Sequence, residues 1–280
     1  MGSTMSSSGA DHVLLITLDS CRYDTFRRAR VPHLRRLGPL HRAQAPSYFT
    51  YGSHAAIWMG FTPGVARSRQ PWLNPKAGKL LRMANAGFAG HGADGIQLSG
   101  PNIIEGFRRA GYRTLGSGAV GWFDPATETG AVLGNPFDAF FFPGNTWSLQ
   151  AQLSWLDQQL ASTPAGQPQF VFLNVGETHV PYWHEGAPWP RDPSPCVPFG
   201  GPQCSRRRSR RQQRACLEWV DGQLAALLER FAAHTVIVCA DHGDCWGEDG
   251  LWEHGISHWA TLTVPLLLRV RGQPVSARPS

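Results

Sequence analysis

The sequence lacks a hydrophobic run long enough to cross a membrane. No apolar stretch in its 280 residues approaches the roughly 20 residues that a bilayer-spanning helix requires. The first ten residues are small and polar, without the basic start and apolar centre of a secretory signal. We therefore expect a soluble, cytoplasmic protein that has no membrane partner.

The sequence has six cysteines, but they do not form the pattern of a disulfide framework. Cys21, Cys216 and Cys239 lie in or beside predicted core elements, where a free thiol behaves as a small hydrophobe. Cys196 and Cys204 flank a Pro/Gly-rich loop, where either a bridge or a metal remains open. The chain contains no internal repeat, which leaves an ordinary globular fold.

Charged residues are only 16% of the chain, against 42% hydrophobic residues, which is typical of a globular protein. The formal net charge of +6 suggests an anionic partner, but charge alone identifies none. Much of the excess lies in residues 27–42 and 205–211. The first stretch could attract an anion, and the second fits the solvated start of a helix better than a nucleic-acid patch.

Short β-branched runs alternate with amphipathic segments along the chain. Val13–Leu18, Gln169–Val175, Thr235–Ala240 and Val264–Val270 are nearly continuous apolar runs, too short for helices. We predict one α/β domain over residues 11–271, a three-layer sandwich whose central, mainly parallel sheet lies between helices. Residues 1–10 are expected to form a disordered tail and residues 272–280 a loose one.

The remaining elements follow from periodicity and from stop signals. The helices predicted in this way are Val31–Leu40, Asn102–Gly111, Ser148–Ala161 and a long one from about Arg207 to Ala233. Tyr112–Leu115 is predicted as a strand, and Asp138–Phe142 as an edge strand or a packed loop.

Candidate metal ligands stand just beyond the carboxyl ends of the predicted strands. Asp19 follows the first strand, His179 lies four residues beyond Val175, and Asp241-His242 follow Ala240. An open α/β sheet binds its ligands at this edge, and carboxylate oxygens with an imidazole can hold a divalent ion. Taken alone, Asp19 could equally cap a helix.

Thr50 occupies the N-cap position of a helix that we expect to end at Gly60. Either it only caps this helix, or it is a nucleophilic hydroxyl held at the positive helix terminus. A nearby metal would lower the pKa of this hydroxyl and withdraw charge from a leaving anion.

Several histidines leave alternatives open. His254 and His258, four residues apart, could share one face of a helical turn and bind a metal together, or one could be structural. One interpretation of His179 is a loop histidine that packs beside Pro181. The reserve site candidates are His184, Glu177 and Glu248.

In this order and spacing, the motifs resemble those of the alkaline phosphatase superfamily, in its compact sulfatase-like branch. The stretches that carry the resemblance cover about a third of the chain: Val13–Asp24, Thr50–Gly64, Phe170–Tyr182 and Ala215–Val270. The resemblance implies an alkaline-phosphatase-like fold that lacks the carboxy-terminal subdomain of large sulfatases.

The resemblance also implies roles for individual residues. Asp19 would bind the metal, Thr50 would be the nucleophile and Asp241-His242 would be a second pair of ligands. His179 would contact the substrate anion or leaving oxygen, and His54 would donate to the anion. His254 is favoured over His258 as a ligand because it lies nearest to the family's His-Gly landmark before the final strand. The full candidate metal set is therefore Asp19, Thr50, Asp241, His242, His254 and His258.

Three departures from the sulfatase pattern point from sulfate toward phosphoryl chemistry. Asp19-Ser20 stands where sulfatases have two aspartates, and Thr50 cannot become formylglycine. Asp241-His242 replaces the Asp-Asn of the calcium site, and imidazole favours zinc or manganese over calcium. Asn174 and Thr178 occupy the positions of the Asp and His that hold a second metal in two-zinc relatives, so that half-site is expected to be impaired.

We therefore expect a metal-dependent hydrolase of phosphate-type esters with a threonine nucleophile and a small anionic substrate. One or two divalent ions, zinc or manganese rather than calcium, would be its cofactor. The enzymatic alternatives are a sulfatase, a phosphonate-ester hydrolase or a phosphotransferase with the same site. The others are an Arg-rich nucleic-acid-binding protein without catalysis, and a degenerate member that binds a ligand without turnover.

Overall fold

A computed structural model describes residues 11–60 and 102–276, together with the backbone of residues 81–83 and 96–98. Its strands are β1 (Val13–Leu18), β2 (His41–Gln44), β3 (Leu81–Met83), β4 (Ile96–Leu98), β5 (Arg113–Gly118), β6 (Ala139–Phe141), β7 (Gln169–Val175), β8 (Thr235–Cys239), β9 (Cys245–Trp246), β10 (Trp252–Glu253), β11 (Thr263–Val270) and β12 (Gln273–Pro274). Its α-helices are α1 (Tyr23–Arg28), α2 (Pro32–Arg35), α3 (Thr50–Met59), α4 (Ile103–Arg109), α5 (Glu128–Gly134), α6 (Leu149–Ala161), α7 (Arg206–Gln223), α8 (Ala225–Arg230) and α9 (Trp259–Leu262).

The main sheet has the strand order β12-β11-β8-β1-β7-β5-β6, and β2 pairs with β11 beside β12. Strands β8, β1, β7, β5 and β6 run parallel to one another. Strand β11 runs antiparallel to β8, β2 and β12. This mixed, mostly parallel sheet confirms the predicted fold class.

Strand β1 is the centre of the sheet, as its continuous apolar sequence predicted. It pairs in parallel with β7 on one side and β8 on the other, and all six of its residues are buried. Leu18 lies opposite Val175, and Thr17 lies opposite Cys239, so the three strands end at the same level. The residues that follow these strands are therefore delivered to one edge.

The core divides into two clusters on opposite faces of the sheet. Leu14, Ile16 and Leu18 join the cluster beneath α1, α2, α6, α7 and α8. Val13 and Leu15 point the other way, into an aromatic cluster with α3, α4 and α5. Burial of β1 on both of its faces is the expected result of helices that cover both sides of a parallel sheet. The three-layer arrangement is thus confirmed.

The aromatic cluster packs against α3. The Trp58 ring lies edge-on to Phe172, with ring centroids 4.7 Å apart, and Trp58 Nε1 donates a hydrogen bond to the Leu133 carbonyl. This packing fixes the helix that carries Thr50 against the sheet.

Several predicted boundaries need correction. The Val31–Leu40 helix is only α2, because Gly38, with φ +145°, and Pro39 end the helical path. The long helix from Arg207 breaks at Leu224 into α7 and α8. The loose tail predicted from residue 272 includes β12, which turns back onto β11 through left-handed Arg271 and Gly272.

From the sequence we expected no membrane-spanning helix anywhere in the chain. In the portion described by the structure, none of the helices is both long and apolar enough to span a membrane.

The buried Glu177 side chain connects the end of β7 to the start of α6. Its Oε1 accepts a hydrogen bond of 2.9 Å from the Leu149 backbone N–H, whereas the N-cap residue Ser148 gives no side-chain cap. Glu177 Oε2 has no hydrogen-bond partner within the described residues. Burial raises the pKa of Glu177 from 4.5 to about 7. This reserve site candidate therefore has a structural role at a helix terminus.

The raised Glu177 pKa predicts a pH-dependent stability. Between pH 4.5 and about 7 the folded state holds a proton that the unfolded state releases, so the free energy of unfolding falls as pH rises. The loss across this window amounts to roughly 3 kcal/mol at about 1.4 kcal/mol per pKa unit. Glu177→Gln should remove this component, as measured by denaturant unfolding at the two ends of the window.

The matched control is Glu128→Gln, which changes an exposed glutamate in the first turn of α5. It should retain the wild-type pH dependence. Identical pH profiles for wild type and Glu177→Gln would contradict the assignment.

Candidate active site

Four sequence-predicted residues meet at the carboxyl edge of the sheet. Asp19, Asp241 and His242 are fully buried, and their ligand atoms lie within 4.8 Å of one another. The Thr50 Oγ1 lies 3.4 Å from Asp19 Oδ2 and 3.3 Å from His242 Nε2. The structure therefore brings the proposed nucleophile directly against the proposed metal ligands.

The backbone explains this convergence. Asp19 follows β1 and Asp241 follows β8, and these strands are neighbours in parallel register. The prediction that Thr50 is an N-cap is wrong, because Phe49 has the extended N-cap conformation and Thr50 is the first helical residue. Its hydroxyl is consequently free of a capping bond and faces the carboxylates, at the positive end of a ten-residue helix.

Ser20 holds the two carboxylates in place. Its backbone N–H donates to Asp241 Oδ1 at 3.2 Å, and its hydroxyl donates to Asp19 Oδ1 at 3.1 Å. Ser20 has φ +58°, a left-handed conformation that a non-glycine residue adopts at a cost of about 1 kcal/mol or more. Ser20 thus orients both acids.

Asp241 carries an unpaired oxygen in this buried cluster. Its Oδ1 accepts backbone hydrogen bonds from Ser20 and from His242, the latter at 2.9 Å. Within the described ranges its Oδ2 has no hydrogen-bond partner, and His242 Nε2 lies 3.6 Å away. A buried polar atom without a partner is costly, so this oxygen is available to a cation.

The electrostatics of the cluster favour a divalent ion. Burial and the neighbouring Asp19 charge raise the pKa of Asp241 well above its usual range. Burial also opposes ionisation of Asp19, but the nearby histidines, His179 first, outweigh it and lower its pKa. A cation would relieve the repulsion between the two acids. Two carboxylates, an imidazole and a hydroxyl form a donor set that fits zinc or manganese.

Asn174 and Thr178 both bind Asp19. The Asn174 amide donates to Asp19 Oδ2 at 3.2 Å, and the Thr178 hydroxyl donates to the Asp19 backbone carbonyl at 2.7 Å. These are the positions where the sequence predicted an impaired second-metal half-site. In the structure they orient the ligand of the first site.

Asp244 is a site residue that the sequence prediction missed. Its Oδ1 lies 2.7 Å from His254 Nδ1, and its Oδ2 accepts a hydrogen bond of 2.8 Å from the Tyr182 hydroxyl. Burial disfavours the charged form of His254, but Asp244 outweighs it and raises the pKa of His254. The available signal was its position two residues after His242, in the run Asp-His-Gly-Asp.

Two of the predicted histidines flank this group. The ring of His254 lies 4.6 Å from the ring of His242 and 5.1 Å from the ring of His179, measured between centroids. His242, Asp244 and His254 form a second set whose ligand atoms lie within 4.8 Å. A partly exposed His179 and a paired His254 could therefore donate to an oxyanion beside Thr50.

His54 lies beneath Thr50 rather than in a position to contact an anion. It is fully buried, with Nδ1 2.8 Å from the Thr50 carbonyl and Nε2 3.0 Å from the Thr17 hydroxyl. Burial lowers the pKa of His54 to about 4, so the ring is neutral at pH 7. Because both nitrogens have protein partners, the geometry favours a positioning role over the predicted donation to substrate.

His258 does not join His254 on a helical turn, and that part of the prediction is wrong. Glu253 and Gly255 have φ values of +69° and +79°, which break any helix there. His258 instead caps α9, accepting from the Ala260 N–H at 3.1 Å, and its Nε2 lies 3.0 Å from Asp249 Oδ2. The alternative that one of the two histidines is structural fits this placement.

The other reserve candidates and the cysteines have structural contacts. His184 stacks on Trp219 with ring centroids 4.8 Å apart, and Glu248 binds Arg22 and Arg206. All six cysteines are unpaired, including Cys196 and Cys204.

A comparison with known protein families gave a match over most of this chain. The family model described as Sulfatase matches residues 73–278, a span that contains Asp241, His242 and His254 and begins after Thr50. A search of curated proteins gave no significant sequence match.

Solved structures with the same fold include enzymes of several descriptions. The integral membrane lipooligosaccharide phosphoethanolamine transferase A of Neisseria meningitidis aligns with a TM-score of 0.63 at 14% identity, over 96% of this chain. The alignment takes in 49% of the transferase, so this chain spans about half of its length. The phosphonate monoester hydrolase of Agrobacterium radiobacter aligns with a TM-score of 0.62 at 14% identity, over 95% of this chain and 70% of the hydrolase.

A third structure is the periplasmic domain of EcEptC from Escherichia coli, described as a complex with zinc. It aligns with a TM-score of 0.61 at 13% identity, over 95% of this chain and 74% of that domain. At these identities the likeness shows the shared fold, and a cytoplasmic location for this chain remains a prediction.

The unpaired Asp241 oxygen predicts opposite effects of Asp241→Asn with and without metal. In protein dialysed against a chelator, the substitution should raise the free energy of unfolding by about 1–3 kcal/mol, because it removes an unsatisfied buried carboxylate. Added Zn²⁺ or Mn²⁺ should stabilise wild type and leave the variant unchanged. Denaturant titration with and without metal measures both effects.

Asp157→Asn, which changes an exposed aspartate on α6, is the matched control and should respond to metal as wild type does. Equal metal stabilisation of wild type and Asp241→Asn would rule out this oxygen as a ligand.

Proposed function

The chain belongs to the sulfatase family, within the alkaline phosphatase superfamily, and we propose that it hydrolyses phosphate-type esters with Thr50 as nucleophile and a divalent metal as cofactor. Membership supports a hydrolase of phosphate or sulfate esters. The observation that carries the finer assignment is the Thr50 hydroxyl, placed 3.4 Å from Asp19 and 3.3 Å from His242. Membership also argues against the non-catalytic nucleic-acid-binding alternative.

Phosphate is favoured over sulfate by the residue types at the site. A threonine cannot be converted to the formylglycine that sulfatases use, whereas its hydroxyl can attack phosphorus directly. An imidazole at His242 suits zinc or manganese better than calcium. Structures of the same fold are described as phosphoethanolamine transferases and a phosphonate monoester hydrolase, in line with phosphorus chemistry.

Asp19, Asp241 and His242 would hold the ion, with Thr50 as a further ligand. When bound, a divalent ion lowers the pKa of the hydroxyl and withdraws charge from the substrate oxygens. We assign one ion to this set, since Asn174 and Thr178 are engaged with Asp19. Zinc or manganese remains our proposal for its identity.

The chain's own residues account for the remaining steps. The Thr50 hydroxyl releases its proton to solvent as its oxygen bonds to phosphorus. The bond between phosphorus and the ester oxygen breaks, and the leaving alcohol takes a proton from His254. Asp244 favours the charged form of His254 and so supports this donation, and His179 stabilises charge on the phosphoryl oxygens. Water then attacks phosphorus and gives one proton back to His254. The bond between phosphorus and the Thr50 oxygen breaks, phosphate leaves, and the threonine oxygen takes up a proton from solvent.

The proposed substrate is a small anionic ester. The phosphotransferase alternative uses the same threonyl intermediate and differs only in the acceptor, which is an alcohol in place of water. The transferase descriptions of several similar structures support keeping it as the second candidate.

Removal of the Thr50 hydroxyl should abolish turnover. Thr50→Ala should lower kcat by roughly 10³-fold or more on the best ester, because the covalent step is lost. Thr50→Ser, which keeps a hydroxyl, should retain part of the activity. The measurement is hydrolysis of a phosphomonoester, phosphodiester, phosphonate-ester and sulfate-ester panel in the presence of Zn²⁺ or Mn²⁺.

Thr127→Ala is the control, since it removes a threonine hydroxyl that caps α5. It should keep wild-type kcat. Full activity of Thr50→Ala, or turnover that persists after complete metal removal, would exclude the proposed mechanism.

A further inference from the structure

A cavity near the candidate active site is lined in part by Arg22, which donates a hydrogen bond to the Asp244 carbonyl. Its volume is about 260 Å³, and Arg22, Arg27 and Arg42 form much of its wall. None of Asp19, Thr50, Asp241 and His242 lines it. The basic stretch at residues 27–42, which the proposed reaction does not use, therefore contributes two of its arginines to a defined space.

The charge of this cavity is strongly positive. Asp24 is the one acidic residue in its lining, and it is already engaged by Arg22 at 2.8 Å and by Arg28 at 3.5 Å. Both Arg27 and Arg42 are exposed. In the described parts of the chain, neither has a carboxylate within the 4.0 Å that defines an ion pair. Their guanidinium groups are thus available to an anionic ligand.

Arg22 gives the cavity a rigid, charged wall. It is 2% exposed, donates to Glu248 and to the Asp244 carbonyl at 2.9 Å each, and lies 4.3 Å from the centroid of the Trp246 ring. A charged group fixed in this way needs no rearrangement when an anion arrives, which favours binding.

Trp259 forms the aromatic side of the cavity. Its indole is 55% exposed, and the Arg22 guanidinium carbon lies 5.6 Å from its ring centroid. Large aromatic side chains are usually covered, so this exposed face can take a flat or apolar group attached to an anion.

We propose that this cavity binds a phosphate-type oxyanion. Arginine forks match the geometry of phosphate oxygens and bind them through paired hydrogen bonds. A volume of about 260 Å³ leaves room for a single anionic group and a small attachment. The anion is either a free ion or a second anionic group of the substrate.

Arg108 and Arg109, which line a larger groove, do not create the same environment. The larger groove that contains Arg108 and Arg109 lies at the opposite edge of the sheet, near the start of β5. There Arg108 pairs with Asp138 at 2.9 Å, and Arg109 pairs with Glu105 at 3.9 Å. Unpaired arginines against a fixed third arginine therefore distinguish the proposed anion site.

The segments that line the anion site are hydrogen-bonded to the loop that carries the proposed metal ligands. The Gly243 N–H donates to the Thr261 carbonyl at 2.7 Å, and Arg22 bonds the carbonyl of Asp244. The segment that carries Trp259 is thus attached directly to the residues after His242. A second anionic group of the substrate is one candidate source of the anion, although anion binding itself does not depend on the proposed reaction.

The test is calorimetric titration with inorganic phosphate in the Asp241→Asn background, which disables the metal cluster. This protein should still bind phosphate at one site per chain. Adding Arg27→Gln and Arg42→Gln should weaken that binding at least tenfold, whereas adding Arg109→Gln should not change it. Thermal unfolding of each variant checks that the fold is kept.

Equal phosphate affinity with and without Arg27→Gln and Arg42→Gln would overturn the anion site, as would an absence of phosphate binding in the Asp241→Asn protein. Because these readouts need no turnover, they are independent of whether Thr50 is the nucleophile.

A kinetic comparison identifies the source of the anion. Unlike the binding test, this comparison rests on the proposed function. It uses a phosphomonoester with and without a remote second phosphate, on an otherwise wild-type protein. If the substrate supplies the anion, Arg27→Gln with Arg42→Gln should raise KM at least fivefold for the doubly charged ester alone. Equal KM changes for both esters would assign the bound phosphate to a free ion.

Discussion

The structure depends on two carboxylates that are buried together at the ends of neighbouring strands. Asp19 and Asp241 follow the neighbouring strands β1 and β8. Because these strands pair in parallel, both side chains lie at the same edge of the sheet. Their repulsion is partly offset by Ser20, by backbone N–H groups and by surrounding histidines, but one Asp241 oxygen stays unpaired among the described residues. In the mechanism that we propose, a divalent cation would complete this arrangement and activate the Thr50 hydroxyl.

Further residues hold the two carboxylates and the side chains around them in position. Asn174 and Thr178 hold Asp19 from the β7 side, and His54 supports the Thr50 backbone from within the aromatic cluster. Tyr182 and Asp244 orient His254 on the opposite side. These contacts come from elements distant in sequence, so the geometry of the site depends on correct packing of both faces of the sheet.

Much of this was predictable because the strongest signals are local. Continuous apolar runs mark buried parallel strands, and such strands end at a common edge, so Asp19 and Asp241-His242 could be placed together from sequence. The parts that could not be predicted depend on tertiary contacts or on unusual backbone. Left-handed Glu253 and Gly255 separate His254 from His258, and Asp244 acquires a role only because Tyr182 and His254 reach it. Likewise, nothing local places Trp259 beside Arg27 and Arg42.

The most direct test of the account is chemical trapping of the threonyl intermediate. Wild-type protein, turning over its best phosphomonoester with metal present, would be quenched in acid and mapped by peptide mass spectrometry. We expect a phosphoryl group on Thr50 of the wild-type protein, and none when Asp241→Asn is treated in the same way. Turnover with an unmodified Thr50, or a phosphoryl group on a different residue, would contradict it.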